Sequence, residues 1–213
     1  MKAINLFSDI LTTSVEEFAH DCMLLCEQYY PTIHSRGMQE DHLAKALCRR
    51  IATDFAQQNT PVKIIHIDKS QHTSQVIYCL QHEQSYIWVI AHHFISANKA
   101  RRDALLSTIE QVQRNFSTNG EHYLMVIADH WFDRSKASKE LPAWWLGKLP
   151  ENHLEYAATG IKLQYSESSF TESVKQRFHL INGSMSIKHP FVRHDNQSPV
   201  LRYIFLTAIY KID

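Results

Sequence analysis

The chain contains few glycines, and no two of them are close in sequence. Its 213 residues include five, at Gly37, Gly120, Gly147, Gly160 and Gly183. Phosphate-binding loops, dinucleotide-binding turns and the nucleophile elbow of hydrolases each need clustered glycines, because the backbone there approaches a phosphate closely or turns sharply. The sequence lacks these three sites, and we expect no nucleotide-dependent chemistry that uses them.

Cysteine pairs with CxxC spacing are absent as well. The four cysteines, Cys22, Cys26, Cys48 and Cys79, lie in apolar contexts and form no CxxC pair. Zinc sites built from thiolates usually show such pairs. We therefore expect buried, reduced thiols rather than disulfides or a zinc site.

An excess of charge of either sign is also missing, because Lys plus Arg and Asp plus Glu both number 22. A nucleic-acid-binding role would therefore need a local basic face, since no overall field attracts a polyanion. Met1–Asp9 has no long apolar core, and no apolar run approaches the about 20 residues of a membrane span. We expect a cytoplasmic protein without a membrane partner.

Hydrophobic periodicity predicts two helices before the first strands. Ser14 begins a capping-box pattern, which predicts a helix over Ser14–Glu27. Four-residue apolar steps predict a second helix over Gln39–Gln57. The β-rich runs Val62–Ile67 and Gln75–Leu80, separated by polar residues, then predict a pair of strands.

The stretch Tyr86–Trp131 has the pattern of a strand, a helix and a second strand. Tyr86–Phe94 and Tyr123–Ala128 are apolar and β-rich, and Asn98 is placed to cap the amphipathic helix between them. Two strands that are joined by a helical crossover favour parallel pairing. The pattern therefore predicts an α/β fold.

After Trp131 the pattern is less regular. We predict a strand at Ile161–Tyr165, a helix over Thr171–Ile181, an extended segment at Ser184–Val192 and an apolar element of undetermined type at Val200–Ile212. We expect the last run to pack on the same core, because it would otherwise be exposed.

The order helix, strand pair, strand, helix, strand over residues 39–132 resembles the core of the PD-(D/E)xK, or restriction-endonuclease-like, nuclease family. The resemblance implies an α/β fold with a three-layer core of helix, mixed sheet and helix, followed by a C-terminal α+β extension over residues 133–213. It covers a little under half of the chain and rests on the order of the elements. We expect a single domain, 1–213.

The resemblance also implies where a nuclease site would lie. In the family, an acidic residue opens the second strand. A carboxylate and a lysine, separated by one residue, share a face of the third strand, where they hold a divalent cation beside the attacking water. Here these positions fall on Gln75, on Ile90 or Ala91, and on His92 or His93. None of them matches the motif, so the resemblance implies a degenerate site.

Glu40 stands near the start of the second predicted helix, where the family often carries a glutamate. Acidic residues are also favoured there by the helix dipole alone. Hydrolysis by the family's mechanism should be lost, because the oxygen ligands that Mg²⁺ requires are missing. We therefore expect a catalytically inactive, nuclease-like protein without a cofactor. It would serve a DNA-handling or defence system by binding DNA or a protein partner, and homo-oligomerisation is a further option.

A second hypothesis is a hydrolase or nuclease that depends on a divalent metal. Apolar runs end in His66, Asp68, His92, Asp129 and His130, and mixed His and Asp ligands suit zinc, manganese or iron. If the strands are parallel neighbours, their carboxyl ends converge. Adjacent residues of a strand point to opposite faces, however, so at most one of His92 and His93 and one of Asp129 and His130 could join the site.

Local basic clusters are candidates for phosphate contacts, although they also suit a solvated face. They lie on the second helix, at the start of the third helix and after the last core strand, at Arg49, Arg50, Lys99, Arg101, Arg102, Arg134 and Lys136. Trp131, Trp144 and Trp145 could stack on bases or anchor a protein interface. A third hypothesis is therefore a protein-binding inhibitor or subunit with exposed tryptophans and no nucleic-acid contact.

Overall fold

The computed structural model describes residues 6–29, 39–67, 76–116, 119–193 and 198–212. Helices and strands follow one another along these ranges. They are α1 (Leu6–Tyr29), α2 (Glu40–Gln57), β1 (Lys63–Ile67), β2 (Val76–His82), β3 (Ser85–Phe94), α3 (Lys99–Gln113), β4 (Glu121–Trp131), α4 (Lys136–Leu146), α5 (His153–Ala158), α6 (Phe170–Phe178), β5 (Ser184–Lys188) and β6 (Tyr203–Ile212).

In the described part of the chain, six strands form one mixed sheet in the order β1-β2-β3-β4-β6-β5. β1, β2 and β3 form an antiparallel meander, and β3 pairs with β4 in parallel. β6 is antiparallel to both β4 and β5. α3 connects β3 to β4, because parallel neighbours need a crossover. The predicted parallel pairing is therefore confirmed, and the chain is an α/β protein.

Side chains on the two faces of the sheet pack against different helices, because successive residues of a strand point in opposite directions. On β3, Val89 and Ala91 join the cluster that contains α1 and α2, whereas Trp88 and Ile90 join the cluster that contains α3, α4 and α6. Burial on both faces explains the nearly continuous apolar runs of β3, β4 and β6. Because helices cover both faces of the sheet, we expect a polar site at the ends of the strands.

The bounds of the first helix differ from those predicted. α1 begins at Leu6, so the capping box predicted at Ser14 is wrong. Ile10 and Leu11 are buried in the same core as Val15, and this apolar face extends the helix towards the N-terminus. Ser14 is buried within the helix and caps nothing.

The N-terminus of α3 is formed as predicted. The Asn98 side chain accepts a hydrogen bond from the backbone nitrogen of Arg101 at 3.1 Å, which satisfies one of the free donors of the first turn. This cap fixes the direction in which the helix leaves the end of β3. Among the described helices, none has an apolar stretch that could cross a membrane.

The C-terminal third adds two strands to the sheet. The run Val200–Ile212 contains β6, which pairs with β4 on one side and with β5 on the other. Because both of its neighbours are strands and both of its faces are covered, most of its residues are buried. The expectation that this run packs on the same core is confirmed.

The strand predicted at Ile161–Tyr165 is wrong. The segment has no regular structure, and Ile161 packs with Tyr156 and Leu201 in a small cluster apart from the sheet. The backbone nitrogen of Gln164 donates to the carbonyl oxygen of Lys139 at 3.0 Å. The apolar residues Ile161 and Leu163 therefore pack in a local cluster. The alternation of apolar and polar residues in this segment would look the same in a strand at the edge of a sheet.

Trp144 and Trp145 are core residues. They are 2% and 0% exposed, and their rings lie 5.4 and 4.4 Å from the ring of Phe170. The prediction of exposed tryptophans is therefore wrong for this pair. Trp131 is partly buried, with its ring 4.8 Å from that of Tyr203.

Three of the four cysteines are buried and form no disulfide, namely Cys22, Cys48 and Cys79. The side chain of Cys26 lies outside the described residues. Burial raises the pKa of Cys79 to about 11 and also raises the pKa of Cys48. The prediction of buried, reduced thiols is confirmed for these three residues, which act as small apolar side chains.

Candidate functional site

A polar cluster lies at the carboxyl ends of β3 and β4. These strands are parallel, so their ends meet at one edge of the sheet, and His93 on β3 is opposite Asp129 on β4. The start of α2 brings Glu40 to the same edge, and the start of β6 brings Tyr203. We call Glu40, His93, Asp129 and Tyr203 the edge cluster.

Asp129 is the buried centre of the edge cluster. Its Oδ1 lies 2.6 Å from Nδ1 of His93, and its Oδ2 accepts a hydrogen bond from the Tyr203 hydroxyl at 2.8 Å. Asp129 and Tyr203 are fully buried. A carboxylate in such a place would be costly without partners, and here both of its oxygens are hydrogen-bonded.

His93 connects this buried carboxylate to the surface, because its side chain is 18% exposed. The hydrogen bond with Asp129 raises the pKa of His93, and burial opposes the change. Since the carboxylate accepts, Nδ1 carries the proton and Nε2 has an accepting lone pair in the neutral ring. None of the described residues is hydrogen-bonded to Nε2.

Glu40 binds the backbone of the same histidine. Its Oε1 accepts a hydrogen bond from the backbone nitrogen of His93 at 2.8 Å. Burial raises the pKa of Glu40, and this hydrogen bond opposes the increase. The carboxyl group is 23% exposed, so it is open to a ligand at the strand ends.

His92 is adjacent in sequence but differs in environment. Its ring is fully buried and packs edge to face on Phe94, with centroids 4.5 Å apart. Burial, with a smaller effect of the positive charge of Arg101, lowers the pKa of His92 to about 3. The ring is therefore neutral near pH 7, and its distance of 3.9 Å to Glu40 is not an ion pair.

Arg101 supplies positive charge at this edge. It lies on the first turn of α3 and is exposed. Its charge acts on the pKa values of Glu40, His92 and His93, favouring the ionised carboxylate and the neutral rings. The edge cluster thus has a cation within electrostatic range that is free to meet an anion.

The structure distinguishes the two ways of aligning β3 with the family motif. Ile90 belongs to the α3 side of the sheet, and His92 shares its face because it is two residues away. Ala91 belongs to the α2 side, which carries Glu40, and His93 shares that face. Of the residues that the resemblance aligned with the motif, Ala91 and His93 are therefore the ones on the face of Glu40, while Gln75 lies outside the described residues.

The residues proposed as metal ligands are dispersed. His66 is exposed on the edge strand β1, and Asp68 lies outside the described residues. His130 faces away from Asp129, with its ring nitrogens 2.8 Å from the Phe94 carbonyl oxygen and 2.7 Å from Oγ of Ser138. Across the described ranges, no group of three or more His, Cys, Asp or Glu side chains is arranged to hold a metal ion.

Two of the arginines predicted to bind phosphate have structural partners. Arg50 forms a two-point ion pair with Asp21, with nitrogen–oxygen distances of 2.5 and 2.7 Å. Arg102 is buried, and its guanidinium donates to the carbonyl oxygens of Ala97 and Ala137 at 2.9 and 3.0 Å. Neither is available for a ligand without loss of these contacts.

The other predicted basic residues are exposed, and four of the five follow β3 or β4 along the chain. Those that follow β3 or β4 are Lys99, Arg101, Arg134 and Lys136, whereas Arg49 is on the outer face of α2. Lys136 is 73% exposed and lies 3.3 Å from Glu140, which is 17% exposed. We call Lys99, Arg101, Arg134 and Lys136 the basic rim.

Sequence reasoning assigned no role to Tyr203. It stands in a long apolar run, and nothing in that run distinguishes it from a core tyrosine. Its function as a donor to Asp129 follows from the pairing of β6 with β4, which joins segments 74 residues apart in sequence. The one signal in the sequence was Asp129 at the end of an apolar strand, because a buried carboxylate there needs hydrogen-bond donors from elsewhere in the fold.

Comparisons with known proteins assign no family. No protein-family model matches the chain, and no curated protein matches it. A crystal structure of truncated TDP2 from Caenorhabditis elegans is 10% identical over 76% of this chain and 81% of that chain, with a TM-score of 0.29. A selenomethionine structure of the same protein is 9% identical over 76% and 61%, with a TM-score of 0.28. Similarity at this level carries no argument about fold or function.

Proposed function

We propose that this chain is a nucleic-acid-binding protein with a restriction-endonuclease-like core that lacks the metal-dependent hydrolysis of that family. The order α2-β1-β2-β3-α3-β4 supports the proposal, since it is the order on which the resemblance rests. The antiparallel meander, the parallel pair β3–β4 and the placement of α2 and α3 on opposite faces suit a three-layer core of this kind. Such a protein would serve in a DNA-handling or defence system.

The observation that carries the proposal is the identity of the two residues of β3 that face Glu40. Where the family keeps a carboxylate and a lysine, this strand has Ala91 and His93. Ala91 is fully buried and has no side-chain oxygen to offer to a cation, and the His93 side chain is hydrogen-bonded to Asp129. Mg²⁺ prefers oxygen ligands, so this strand does not supply the family's metal site. We propose that the protein has no resident metal cofactor.

The basic rim is the proposed contact surface for nucleic acid. Its four cations follow the two strands that meet at the edge cluster, and all of them are exposed. The chain as a whole has no net charge, so attraction to phosphate must come from such a local face. Phosphate contacts would position the ligand over the strand ends without reading its sequence.

Binding of labelled DNA and RNA across a salt series tests this proposal. The logarithm of the affinity should fall linearly with the logarithm of the salt concentration. Replacing Lys99 and Arg101 by Gln should weaken binding and reduce the slope by roughly one for each lost phosphate contact. Lys162→Gln with Lys175→Gln is the control, because these exposed cations lie outside the basic rim.

Two results would overturn the proposal. One is the absence of any nucleic-acid binding at low salt, which would leave the protein-binding hypothesis. The other is binding that the control pair weakens as much as the substitutions in the basic rim do, since a uniform loss would reflect charge alone and not a located surface.

A further inference from the structure

We propose that the edge cluster, together with Arg101, cleaves RNA without a metal ion by transferring protons to and from the RNA itself. This inference rests on the proposed binding of nucleic acid and adds a reaction to it. Three groups of different chemistry converge on the carboxyl ends of β3 and β4: an imidazole, a carboxyl group and a guanidinium. They are His93 on β3, Glu40 at the start of α2 and Arg101 on the first turn of α3, the helix that follows β3.

His93 has the geometry of a general base. Asp129 holds Nδ1 at 2.6 Å and is itself held by the Tyr203 hydroxyl at 2.8 Å, so the ring is fixed in orientation and tautomer. Nε2 then presents its lone pair away from the buried carboxylate, on a side chain that is partly exposed. A histidine oriented by a buried carboxylate is the arrangement that accepts a proton from a hydroxyl group during catalysis.

Glu40 is placed to act as the general acid. Its Oε1 is 2.8 Å from the backbone nitrogen of His93, so the carboxyl group is held beside the base by the base's own main chain. Burial favours its neutral form, as the raised pKa of Glu40 shows. Burial acts most strongly on Glu40, whereas the hydrogen bond to Asp129 acts most strongly on His93, so the two groups have the different environments that separate acid and base roles require.

Arg101 supplies the charge that the reaction needs. Phosphodiester cleavage builds negative charge on the phosphorus oxygens, and a fixed cation stabilises it. Arg101 is exposed on the first turn of α3, where backbone donors also point outwards. Asn98 caps this turn shortly after the end of β3, so Arg101 lies beyond the carboxyl end of that strand.

RNA is the substrate class because it carries its own nucleophile. Nε2 of His93 takes the proton of a ribose 2′-hydroxyl, and the 2′-oxygen forms a bond to the adjacent phosphorus. The bond from phosphorus to the 5′-oxygen breaks, and Glu40 gives its proton to that oxygen. The products are a 2′,3′-cyclic phosphate and a 5′-hydroxyl, with His93 protonated and Glu40 ionised until solvent exchanges the protons. DNA has no 2′-hydroxyl and cannot follow this route.

The network of Asp129, His93 and Tyr203 also contributes to the stability of the fold, so the test uses conservative substitutions. His93→Asn retains an amide donor for Asp129 and removes the proton acceptor at Nε2. Glu40→Gln retains an oxygen that accepts from the backbone of His93 and removes the acid. Arg101→Gln changes an exposed side chain only. His179→Asn is the matched control, because His179 is exposed, is remote in sequence and has a positive φ that asparagine tolerates.

The experiment incubates the untagged full chain with a labelled RNA oligonucleotide and its all-deoxy equivalent in the presence of EDTA. The expected result is cleavage of the RNA alone, with a 2′,3′-cyclic phosphate identified by mass. His93→Asn and Glu40→Gln should each slow cleavage by about 100-fold or more at unchanged RNA affinity, while His179→Asn cleaves at the wild-type rate. Parallel purification of all variants separates this activity from a contaminating ribonuclease.

The outcomes separate the two proposals. If the wild type binds RNA but does not cleave it in EDTA, or if His93→Asn and Glu40→Gln cleave as fast as the wild type, the inference is overturned and the proposed binding function stands. Cleavage of the deoxy strand in EDTA would also overturn the inference. If the wild type binds no nucleic acid at all, the proposed function fails first and the inference fails with it.

Discussion

His93 Nδ1 and Asp129 Oδ1 lie 2.6 Å apart across two parallel strands, with the histidine partly exposed and the aspartate fully buried. The pair therefore joins the interior of the sheet to its surface. Because Asp129 is also bonded to Tyr203, each group of the network depends on a strand from a different part of the chain. This dependence makes the network sensitive to single substitutions.

Removing the charge at the centre of the network should destabilise the protein. Asp129→Asn loses the charge-assisted hydrogen bond to His93, and we expect a loss of about 1.5–3 kcal/mol in the free energy of unfolding. Tyr203→Phe leaves Oδ2 of Asp129 buried without its donor, and a loss of about 1–3 kcal/mol should follow. Urea denaturation measures both changes. Tyr165→Phe is the control, since Tyr165 is exposed, and an equal loss there would contradict the prediction.

His92 should make the fold sensitive to acid. Its pKa is about 3 in the folded state because of burial, and the unperturbed value is 6.5. Below pH 6.5 the unfolded chain therefore binds a proton that the folded chain does not, so stability falls as the pH falls. The limiting slope is about 1.4 kcal/mol per pH unit, and it continues down to the folded pKa.

Comparing the unfolding of wild type and His92→Gln between pH 7 and pH 5 tests this dependence. The variant should lose less stability over this range than the wild type does. The slope should be reduced and not abolished, because burial also lowers the pKa values of His130 and His189. Parallel curves for the two proteins would show that His92 is not the group that resists protonation.

Two adjacent arginines of α3 should differ in their effects. Arg102 is buried, donates to Ala97 and Ala137 and lies 5.0 Å from the ring centroid of Trp144. Arg102→Gln should therefore lower the free energy of unfolding by about 2 kcal/mol or more, because the buried carbonyl oxygen of Ala97 and the partly buried one of Ala137 lose their donor. Arg101→Gln should leave stability within about 0.5 kcal/mol of the wild type and weaken RNA binding instead. The reverse pattern in thermal melts and binding curves would be inconsistent with this assignment.

Metal removal should leave the protein unchanged. We expect elemental analysis of untagged protein to find no stoichiometric zinc, manganese or iron. A metal ion that binds the folded state would stabilise that state, and its removal would lower the midpoint of thermal unfolding. Since we expect no bound metal, dialysis against EDTA should leave the midpoint unchanged. One equivalent of metal, together with a lower midpoint after dialysis, would instead favour the metal-dependent hydrolase.

The order of elements could be predicted from the sequence because local patterns determine it. Alternating and continuous apolar runs located β1, β2, β3 and β4 to within a few residues, and Asn98 marked the start of α3. The parallel pairing of β3 and β4 followed from the helical crossover between them. The errors at Ser14 and at Ile161–Tyr165 arose where a local signal was overridden by packing with distant residues.

The candidate site was predicted only in part. Glu40 and Asp129 were identified as candidates from their positions at element ends, but the sequence offered His92 and His93 as equals. The two rings lie on opposite faces of β3, and only the packing of the helices decides which face belongs to the site. Tyr203 had no local signal at all, because its partner is on another strand.

The sequence by itself therefore determined the α/β class, the reduced state of the three described cysteines, and the absence of a carboxylate and a lysine on β3. These properties depend on composition and on short-range periodicity. The tertiary structure decided that His93 rather than His92 meets Asp129 and Glu40, and that Arg50 and Arg102 are structural while Arg101 is available. Such decisions depend on strand register and helix placement, which bring together residues that are far apart along the chain.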